Sequence, residues 1–533
     1  MKSVAIVGSG ASAVHFAKTA LERGWRVTMF DVGRARAAHV RPELSFRGLK
    51  EEEGRASEYF LGEHFEGVLF PGAKGEYYGF PPHRDYVFAP HRALATRAAG
   101  LAPLSSFARG GLAEAWTGAA FPFSAGELAD WPIAAADLSP HYDLVAQRIG
   151  VVGRVDDLAA FVPGHGHLDE PLELDPHSAR LMERYGAVRG RLNSKLGVHL
   201  GSTRAAVLVR GRAGRTACDK KGRCLWGCPN DAIYSPLHTL RELEEHGDFT
   251  YIPGVVARRF EADASGRIVA LHIERESGVG ERVPVERLVL AAGTLSSSRI
   301  VLESRARAGE SEPHLEGLMD NRQVLVPFVN WSMLRSPVEL ESYQYHQLAL
   351  GMPSADPREY VHGLITTLKS ALLHPIAQSI PLDLRTALDL VRNAHSALGL
   401  VNLNFHDTRR GSNRLTLERH GDGTRLVASY SPDVGEAARI RNALSKVKRA
   451  LWTLGCFVPP GMVHVRPMGA SVHYAGTLPM TNTLDPWTTT PAGRLRPYEN
   501  LWLADGSTFP FLPAKNLTFT LMANASRIAS ADF

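Results

Sequence analysis

The sequence predicts a mixed α/β (α+β) protein in which a Rossmann-like dinucleotide-binding domain is interleaved with a second domain built on an antiparallel β-sheet flanked by helices. Three observations lead to this prediction. The chain opens on a strand, a glycine turn and a helix, its middle contains a β-meander, and residues 321–457 have a different pattern of strands. With 533 residues, the chain has room for several domains or for two large interleaved ones.

The opening segment has the order strand, glycine turn, helix, strand. Residues 4–7 are predicted as a buried strand, residues 13–23 as a helix, and Arg26–Phe30 as a second strand that ends at Asp31. This order is the start of a βαβ unit, which is typical of dinucleotide-binding domains.

The turn and the end of the second strand have the residue types that a dinucleotide needs. Gly8 permits a tight turn, Gly10 lets the backbone approach a pyrophosphate, and Ala13 allows close helix–strand packing. Ala11 lies in the same turn, where the free N–H groups of the helix N-terminus face the phosphates. Asp31 is placed to accept hydrogen bonds from ribose hydroxyls, and its charge disfavours a 2′-phosphate.

A strand-rich region follows in the middle of the chain. Residues 255–262, which include Val256, and residues 268–274 predict two strands joined by a glycine-containing turn. Residues 287–294 predict a further buried strand that ends near Ala292 and Gly293. The pattern therefore predicts a β-meander that leads into another buried strand.

The pattern changes again between residues 321 and 457. Strands are predicted at residues 324–329, 343–350 and 399–405 around a helical insertion at residues 380–397, and this sheet is expected to face the substrate. Residues 432–454 have apolar side chains at helical spacing, which predicts an amphipathic helix packed in the core.

The predicted division of the chain follows from these changes. Residues 1–150 and 201–320 are assigned to two parts of the nucleotide-binding domain, 151–200 to a substrate-domain or lid segment, 321–459 to the substrate-binding domain, and 460–533 to a C-terminal part of the nucleotide-binding domain.

Charge argues against a nucleic-acid partner. The formal net charge is +5, from 60 basic and 55 acidic residues, and no run of five or six like charges concentrates the excess. Binding to a phosphate backbone needs a clustered basic face, so no nucleic-acid role is expected.

The sequence also lacks the marks of secretion and membrane insertion. Lys2 leads directly into the first predicted strand, without the apolar stretch of a signal peptide. No stretch of about 18 uninterrupted apolar residues occurs. We expect a cytoplasmic protein without a membrane partner, and the sequence leaves its oligomeric state open.

Three of the four cysteines lie close together in the sequence, at Cys218, Cys224 and Cys228. The Cys-Pro ending is like that of a ferredoxin loop, but the first spacing is wrong for an iron–sulfur cluster. Zinc would need a fourth ligand, for which His238 could be proposed. No metal site is expected, and the role of the cysteine loop stays open.

The strongest motifs lie near the C-terminus of the sequence. They are residues 471–477 (Ser-Val-His-Tyr-Ala-Gly-Thr), 500–507 (Asn-Leu-Trp-Leu-Ala-Asp-Gly-Ser) and 515–520 (Lys-Asn-Leu-Thr-Phe-Thr). Together with the opening glycine turn and residues 109–118 (Arg-Gly-Gly-Leu-Ala-Glu-Ala-Trp-Thr-Gly), they resemble the glucose–methanol–choline (GMC) oxidoreductase family. Residues 130–142 are similar in particular to the pyranose-oxidase-like, sugar-oxidising branch of that family.

This resemblance implies that FAD is the cofactor and that the nucleotide-binding domain is an FAD-binding domain. It assigns to the flavin site a set of residues from distant parts of the chain: Arg109, Gly110, Gly111, Trp116, Thr117, Gly118, Val256, Ala292, Gly293, Asp505, Gly506, Leu517 and Thr518. Some members of the branch attach the flavin through a histidine immediately before the Trp-Thr pair. Ala115 occupies that position, so a non-covalent flavin is predicted.

The resemblance also implies a catalytic pair, His473 and Asn516, which lies in the C-terminal part of the nucleotide-binding domain, residues 460–533. Alcohol oxidation removes a hydroxyl proton while a hydride passes to flavin N5, so a base must reach the oxygen. His473 is predicted as that base, since imidazole titrates near neutral pH without a large shift of its pKa. Asn516 would donate to the developing alkoxide, although Asn is also a preferred cap for the helix predicted from Thr518.

The sequence thus predicts an FAD-dependent oxidoreductase that oxidises a CH–OH group of a sugar, glycoside or other alcohol, with O₂ or another electron acceptor. Two alternatives stay open. Some proteins of this fold retain FAD but catalyse non-redox cleavage, as hydroxynitrile lyases do, and a third class would be a flavin-binding scaffold without activity. Substrate identity and the choice between oxidase and dehydrogenase are not encoded in these motifs.

Overall fold

The computed structural model describes residues 2–35, 43–52, 54–68, 76, 79–164, 166–212, 214–275, 277–421 and 423–533. Its α-helices are α1 (Ala11–Glu22), α2 (Phe46–Glu51), α3 (Ala56–Leu61), α4 (Asp85–Phe88), α5 (Ala135–Ile149), α6 (Pro176–Arg191), α7 (Pro236–Glu244), α8 (Thr294–Arg307), α9 (His374–Gln378), α10 (Leu384–Ala394), α11 (Glu436–Thr453) and α12 (Thr518–Asp532).

The strands are β1 (Ser3–Val7), β2 (Arg26–Phe30), β3 (Thr96–Ala99), β4 (His199–Ser202), β5 (Phe249–Ile252), β6 (Val255–Ala262), β7 (Ile268–Arg275), β8 (Gly280–Pro284), β9 (Leu288–Leu290), β10 (His314–Glu316), β11 (Arg322–Asn330), β12 (Leu348–Met352), β13 (Val361–Thr367), β14 (Leu398–Phe405), β15 (Asp407–Thr408), β16 (Arg414–His420), β17 (Gly423–Ser429), β18 (Cys456–Phe457), β19 (His464–Val465), β20 (Leu501–Leu503) and β21 (Phe511–Leu512).

A five-stranded parallel sheet, in the order β20–β9–β1–β2–β5, forms the centre of the half that is predicted to bind the nucleotide. Strands β1, β9 and β20 are almost entirely apolar and buried, as expected of the interior of a parallel sheet that is covered on both faces. Helices α1, α7 and α12 share a hydrophobic cluster with one face. The meander β6–β7–β8 and α8 belong to the cluster on the other face. The predicted βαβ unit and meander are thus confirmed.

Helix α1 begins at Ala11, two residues before the predicted start. Gly10 occupies the N-cap position in an extended conformation, and no side chain caps the helix. The first N–H groups of α1 are therefore left for another partner, because a helix N-terminus has donors that the helix itself cannot satisfy.

A seven-stranded antiparallel sheet forms the second half. Its order is β18–β11–β14–β13–β12–β4, and β19 also pairs with β11. Helices α6 and α11 pack on one face through a shared cluster that includes Leu181, Val326, Val401 and Val447. The predicted core role of the helix at residues 432–454 is confirmed. The mixed α/β fold with a parallel and an antiparallel sheet is likewise confirmed.

Two predicted elements differ in extent. The strand predicted at residues 343–350 begins only at Leu348. Before it, Gln344 donates to the carbonyl of Leu340 and Gln347 donates to the carbonyl of Tyr343, and these side-chain bonds hold a loop instead. The helix predicted at residues 380–397 is shorter because Asp383 accepts from Thr386 N and fixes the start of α10.

Two smaller sheets complete the fold, and they join distant parts of the chain. One has the order β10–β16–β17–β3, and the other is the pair β15–β21. The seven-stranded sheet also takes in β4, which lies across the predicted boundary at residue 200. The predicted division into domains stays a prediction. No helix in the described part of the chain has the length and apolar character needed to cross a lipid bilayer.

One buried ion pair holds the C-terminal loop before α12. Lys515 and Glu127 are essentially inaccessible, and their Nζ and Oε2 atoms lie 2.5 Å apart. Lys515 also donates to the carbonyls of Pro122 (3.0 Å) and Phe161 (2.6 Å). Glu127 accepts from the backbone and hydroxyl of Ser124. Such a pair is costly to break, because the remaining charge stays buried without a counter-charge.

We therefore expect Glu127→Gln or Lys515→Met alone to lower the free energy of unfolding by about 3–5 kcal/mol. The double variant should lose clearly less free energy of unfolding than the sum of the two single losses, because removing both charged groups leaves no unpaired charge. Urea titration of all three proteins measures these differences. Glu183→Gln, which removes an exposed pair with Arg180, is the control and should have little effect. Additive losses would contradict the pairing.

Candidate active site

A cavity of about 430 Å³ lies between the C-terminal ends of the parallel strands and the seven-stranded sheet. Most of the predicted site residues line it: Gly8, Gly10, Ala11, Asp31, Gly111, Trp116, Thr117, Val256, Ala292, Gly293, His473, Asp505, Gly506, Asn516, Leu517 and Thr518. Four predicted residues, Ala13, Arg109, Gly110 and Gly118, are not among its lining residues. The parallel sheet thus brings the two ends of the chain to one cavity.

The glycine turn after β1 approaches the neighbouring strand closely. Gly8 has φ = +102°, and a Cβ there would lie 2.6 Å from the carbonyl oxygen of Ala291. No other residue type fits without a shift of the backbone. Gly10 is different, because the nearest atom to an added Cβ would be the carbonyl oxygen of Gly110 at 3.9 Å. The space beside Gly10 opens into the cavity at the N-terminus of α1.

Asp31 lies at the end of β2, at the rim of the same turn. Its Oδ2 accepts hydrogen bonds from the hydroxyls of Ser9 and Tyr251. Burial raises the pKa of Asp31 to about 6, although these bonds favour the ionised form. The carboxylate is thus oriented by the protein before any ligand binds.

The loop predicted to lie beside the flavin ring is only partly in the cavity. Gly110 has φ = +89° and donates from its backbone to the Ser9 hydroxyl (3.0 Å), so it links the loop to the glycine turn. Arg109 instead pairs with Glu244 and lies over the ring of Tyr251 at 4.9 Å. This ion pair directs the guanidinium away from the cavity and explains why Arg109 does not line it.

Gly118 and Ala13, which also do not line the cavity, have contacts with other parts of the protein. The carbonyl of Gly118 accepts from the backbone N–H of Ala206 (2.7 Å). Ala13 is fully buried in the cluster between α1 and the parallel sheet, as the close packing predicted for it requires.

At the end of β20, Asp505 connects two cavity-lining segments. Its Oδ2 accepts from the backbone N–H of Gly293 (3.0 Å) and from the hydroxyl of Ser297 (2.5 Å), and its Oδ1 accepts from the N–H and hydroxyl of Ser507. The carboxylate therefore organises the protein backbone around the cavity.

His473 lies deep in the cavity, with 7% of its surface exposed. Its Nδ1 is 3.0 Å from Oδ1 of Asn321, and its Nε2 is 3.4 Å from Nδ2 of Asn516. Asn321 uses its Nδ2 to donate to two backbone carbonyls, so its oxygen is the atom that faces Nδ1. Nδ1 must therefore carry the proton, and Nε2 has the lone pair that faces the cavity.

Burial, together with the nearby Arg466 guanidinium, lowers the pKa of His473 to about 4. The expectation of a pKa near neutrality was therefore wrong. Sequence reasoning used the ordinary value of an exposed imidazole, whereas this one is shielded from water. The imidazole is neutral at pH 7 and can accept a proton.

Asn516 approaches His473 from the loop before α12. Its Oδ1 is buried and has no hydrogen-bond partner among the described residues. The rival prediction that Asn516 caps the following helix was wrong, because Leu517 occupies the N-cap position and no side chain caps α12 there. The amide is left to interact with His473 and with a bound molecule.

Two residues near His473 were not predicted from the sequence. Asn321 faces its Nδ1, and Asp320 accepts from the Ser471 hydroxyl and from the backbone N–H of Gly469 (2.5 Å). Both immediately precede β11, in a segment whose sequence contains no recognisable motif. Only their position opposite the histidine loop reveals them.

The cysteine loop belongs to a different cluster. Cys218, Cys224 and Cys228 are free thiols packed with Val207 and Tyr343, and burial raises the pKa of Cys224. Across the residues that the structure describes, no group of three or more His, Cys, Asp or Glu side chains is arranged to hold a metal ion. Asp231, at the end of this loop, has φ = +53°, a left-handed conformation that Asp adopts more readily than most other residues.

Comparisons with known proteins find a family model and relatives that match parts of this chain. Residues 459–525 match the model of the family described as GMC oxidoreductase. The chain is 26% identical over 451 residues to 6'''-hydroxyparomomycin C oxidase of Streptomyces lividus, covering 77% of this chain and 75% of that protein. It is 25% identical over 457 residues to paromamine 6'-oxidase of Streptomyces fradiae, covering 78% and 75%.

A likeness to a solved structure extends over the whole chain. The crystal structure of pyridoxine 4-oxidase from Mesorbium loti superposes with a TM-score of 0.61 at 16% identity, and the match covers 100% of this chain and 99% of that one. At a sequence identity of 16%, this likeness shows a shared fold and nothing about activity. Together with the family model over residues 459–525 and the two relatives, it confirms the predicted resemblance to the GMC oxidoreductase family. The predicted closeness to the pyranose-oxidase-like branch stays a prediction.

GMC oxidoreductases use FAD, and the residues present fit it. The N-terminus of α1 has free donors, the space beside Gly10 is open to a phosphate, and Asp31 is fixed beside the turn. At the other end of the cavity, the unpartnered Oδ1 of Asn516 is a buried acceptor that a bound molecule would satisfy.

We expect Gly10→Val to give a folded but colourless protein. An added Cβ meets no protein atom closer than 3.9 Å, yet the branched side chain would occupy the space next to the helix N-terminus. The flavin absorbance of the purified protein measures the effect, and its circular dichroism spectrum checks folding. Gly186→Val is the matched control, because that glycine lies on the exposed face of α6 with open space around it. A yellow Gly10→Val protein would place the pyrophosphate elsewhere.

Proposed function

We propose that this protein is an FAD-dependent oxidoreductase that oxidises a CH–OH group of a sugar, glycoside or other alcohol to a carbonyl group. The observation that carries the proposal is the pair His473 and Asn516, which face each other across one end of a cavity whose other end has the features of a dinucleotide site. FAD supplies the hydride acceptor when it is bound.

In this proposal His473 acts as the general base. Its Nε2 lone pair faces the cavity, and the ring is neutral over the physiological range because burial disfavours the imidazolium. Nε2 accepts the hydroxyl proton of the substrate while the hydrogen of the same carbon leaves as hydride. The resulting positive charge on the ring is stabilised at Nδ1–H by the oxygen of Asn321.

Asn516 holds the reacting oxygen. Its Nδ2 has two hydrogens, and the contact with His473 Nε2 uses one of them at 3.4 Å, near the outer limit of a hydrogen bond. The other can donate to the substrate oxygen as negative charge develops there. The unpartnered Oδ1 can accept from a further substrate hydroxyl, which suits a compound with several hydroxyl groups.

The substrate class is supported by the relatives as well as by the pocket. The two relatives in Streptomyces are named as oxidases of paromamine and of 6'''-hydroxyparomomycin C. The cavity walls combine polar side chains, such as Gln323 and Asn402, with apolar ones, such as Leu225 and Leu364. Such walls can contact both the hydroxyl groups and the carbon faces of a sugar-like molecule. O₂ or another acceptor would then reoxidise the flavin.

We further propose that FAD is held without a covalent bond to the Trp116 loop. Ala115 takes the place of the histidine used for attachment in the resembling branch, and a methyl group cannot form that bond. Acid precipitation of the yellow protein should leave all flavin absorbance in the supernatant. Flavin that stays in the pellet would contradict this proposal.

A non-redox cleavage of the hydroxynitrile-lyase kind is the alternative, since a neutral histidine and an amide also suit proton transfer alone. The two functions differ in whether substrate reduces the flavin. Oxygen-free mixing with a panel of polyols, glycosides and alcohols should bleach the flavin absorbance if the proposed function holds. A compound that is converted without bleaching would favour the lyase.

His473→Ala should retain FAD but slow anaerobic flavin reduction by roughly a hundredfold or more, the usual contribution of a general base. Stopped-flow absorbance measures the rate, and the absorbance ratio of flavin to protein measures cofactor content. His314→Ala is the control, because His314 is exposed on β10. An unchanged reduction rate in His473→Ala would remove this residue from the mechanism.

A further inference from the structure

Asp320 and Asn321, at the start of β11, contact both of the segments that carry the catalytic pair. We propose that these two residues, the Asp320–Asn321 clasp, are a positioning device in which Asn321 fixes the proton of His473 on Nδ1 and Asp320 holds the turn that carries the ring. This inference rests on the proposed function, because it assigns a task within that reaction.

The amide of Asn321 has only one orientation that satisfies its surroundings. Its Nδ2 donates to the carbonyl of Phe405 (2.8 Å) and to the carbonyl of Pro513 (2.9 Å). Rotating the amide by 180° would place its oxygen against these two carbonyl oxygens, and three acceptors would face one another without a proton. Since the residue is only 1% exposed, water cannot compensate for such an arrangement.

The fixed amide then dictates the tautomer of His473. Its oxygen lies 3.0 Å from Nδ1, so a proton on Nδ1 makes a hydrogen bond. With the proton on Nε2 instead, two lone pairs would face each other at the same distance. The tautomer with Nδ1–H is therefore selected, and it is the one that leaves Nε2 free to act as a base.

Asn321 also links the two catalytic loops in space. Its bond to the carbonyl of Pro513 holds the segment that leads, three residues later, to Asn516. The oxygen of the same amide contacts Nδ1 of His473, whereas Asn516 faces the other ring nitrogen, Nε2. One side chain thus sets the position of the histidine relative to the asparagine, which a substrate hydroxyl between them requires.

Asp320 secures the backbone of the histidine loop. Its carboxylate accepts from the Ser471 hydroxyl and from the N–H of Gly469, while Ser471 Oγ accepts from the N–H of His473 (2.9 Å). Between these contacts Val472 has φ = +57°, a conformation that is unfavourable for a β-branched residue. Such strain persists only where the surroundings impose it, and it is common at functional sites.

Two charged groups near the imidazole of His473 are Arg466 and Asp320. Arg466 is the charged group that lowers the pKa of His473, and it pairs with Glu76 and Gln323. Burial raises the pKa of Asp320 to about 7, although the hydrogen bonds that it accepts from the histidine loop favour the carboxylate. The pKa of His473 is about 4, so the imidazole is neutral at pH 7 and its single ring proton has a defined location that can be measured.

The first measurement uses the wild-type holoenzyme at pH 7 with ¹⁵N-labelled histidine. The nitrogen chemical shifts distinguish a protonated from an unprotonated ring nitrogen, and the signals of His473 are those that disappear in His473→Asn. We expect a single tautomer with the proton on Nδ1. A proton on Nε2, or an equal mixture of both tautomers, would overturn the inference, whether or not any variant folds.

The second measurement compares Asn321→Leu with Asn321→Asp. Leucine has a similar size but no acceptor, so the Nδ1–H tautomer should be lost and flavin reduction should slow roughly ten- to hundredfold. Aspartate keeps an oxygen toward Nδ1, so the folded fraction should retain the tautomer, while its second oxygen faces the carbonyls of Phe405 and Pro513 and should lower stability. If Asn321→Leu kept both the tautomer and the full rate, the clasp would have no role.

Asn500→Leu is the matched control. Asn500 is buried, its Nδ2 donates to the carbonyls of Ile268 (2.9 Å) and Glu286 (2.7 Å), and its oxygen accepts from a backbone N–H, but it contacts no histidine. Its replacement should lower stability and leave the His473 signals and the reduction rate of the folded fraction unchanged. An equal slowing in Asn500→Leu would show a general structural effect and overturn the inference.

These outcomes separate the clasp from the proposed function. The tautomer is read in the resting enzyme without substrate, so it tests the clasp by itself. Failure of every hydroxyl compound to bleach the wild-type flavin would instead contradict the proposed oxidation.

Discussion

The pairing of β9 with both β1 and β20 is the constraint on which the site depends. Ala5 pairs with Leu288, and Leu288 pairs with Leu501, so three segments that are hundreds of residues apart in the chain lie side by side. Because the strands are parallel, their C-terminal ends meet at one edge. The glycine turn, Gly293 and Asp505 follow these ends directly. Without this pairing, the motifs at the two ends of the chain would have no common site.

Local sequence determines the half built on the parallel sheet well and the half built on the seven-stranded sheet less well. The first strand, glycine turn and helix could be predicted because a glycine without room for a Cβ and a run of buried apolar residues are visible in the sequence itself. Residues 343–347 also have an apolar–polar alternation, yet Gln344 and Gln347 bind nearby carbonyls and form a loop. Side-chain competition of this kind depends on neighbours that the sequence does not reveal.

The site shows the same limit. Motifs identified His473 and Asn516, and the structure brings them together, although their roles stay predictions. The pKa of His473 could not be predicted, because it follows from burial by residues of several distant segments. Arg109 was expected at the cavity, but its pairing with Glu244, 135 residues later in the chain, directs it elsewhere. Asn321 matters through a contact 152 residues away in sequence, and no local pattern encodes such a contact.

Sheet order also has a consequence for how the protein matures. Residues 501–503 provide the outer strand of the parallel sheet, and residues 505–532 provide Asp505, Asn516 and the helix that packs against α1. A chain emerging from the ribosome therefore exposes its glycine turn and first helix long before their last partners are synthesised. Stable cofactor capture has to wait until those late segments dock, so the apoprotein must survive in an incomplete state during translation.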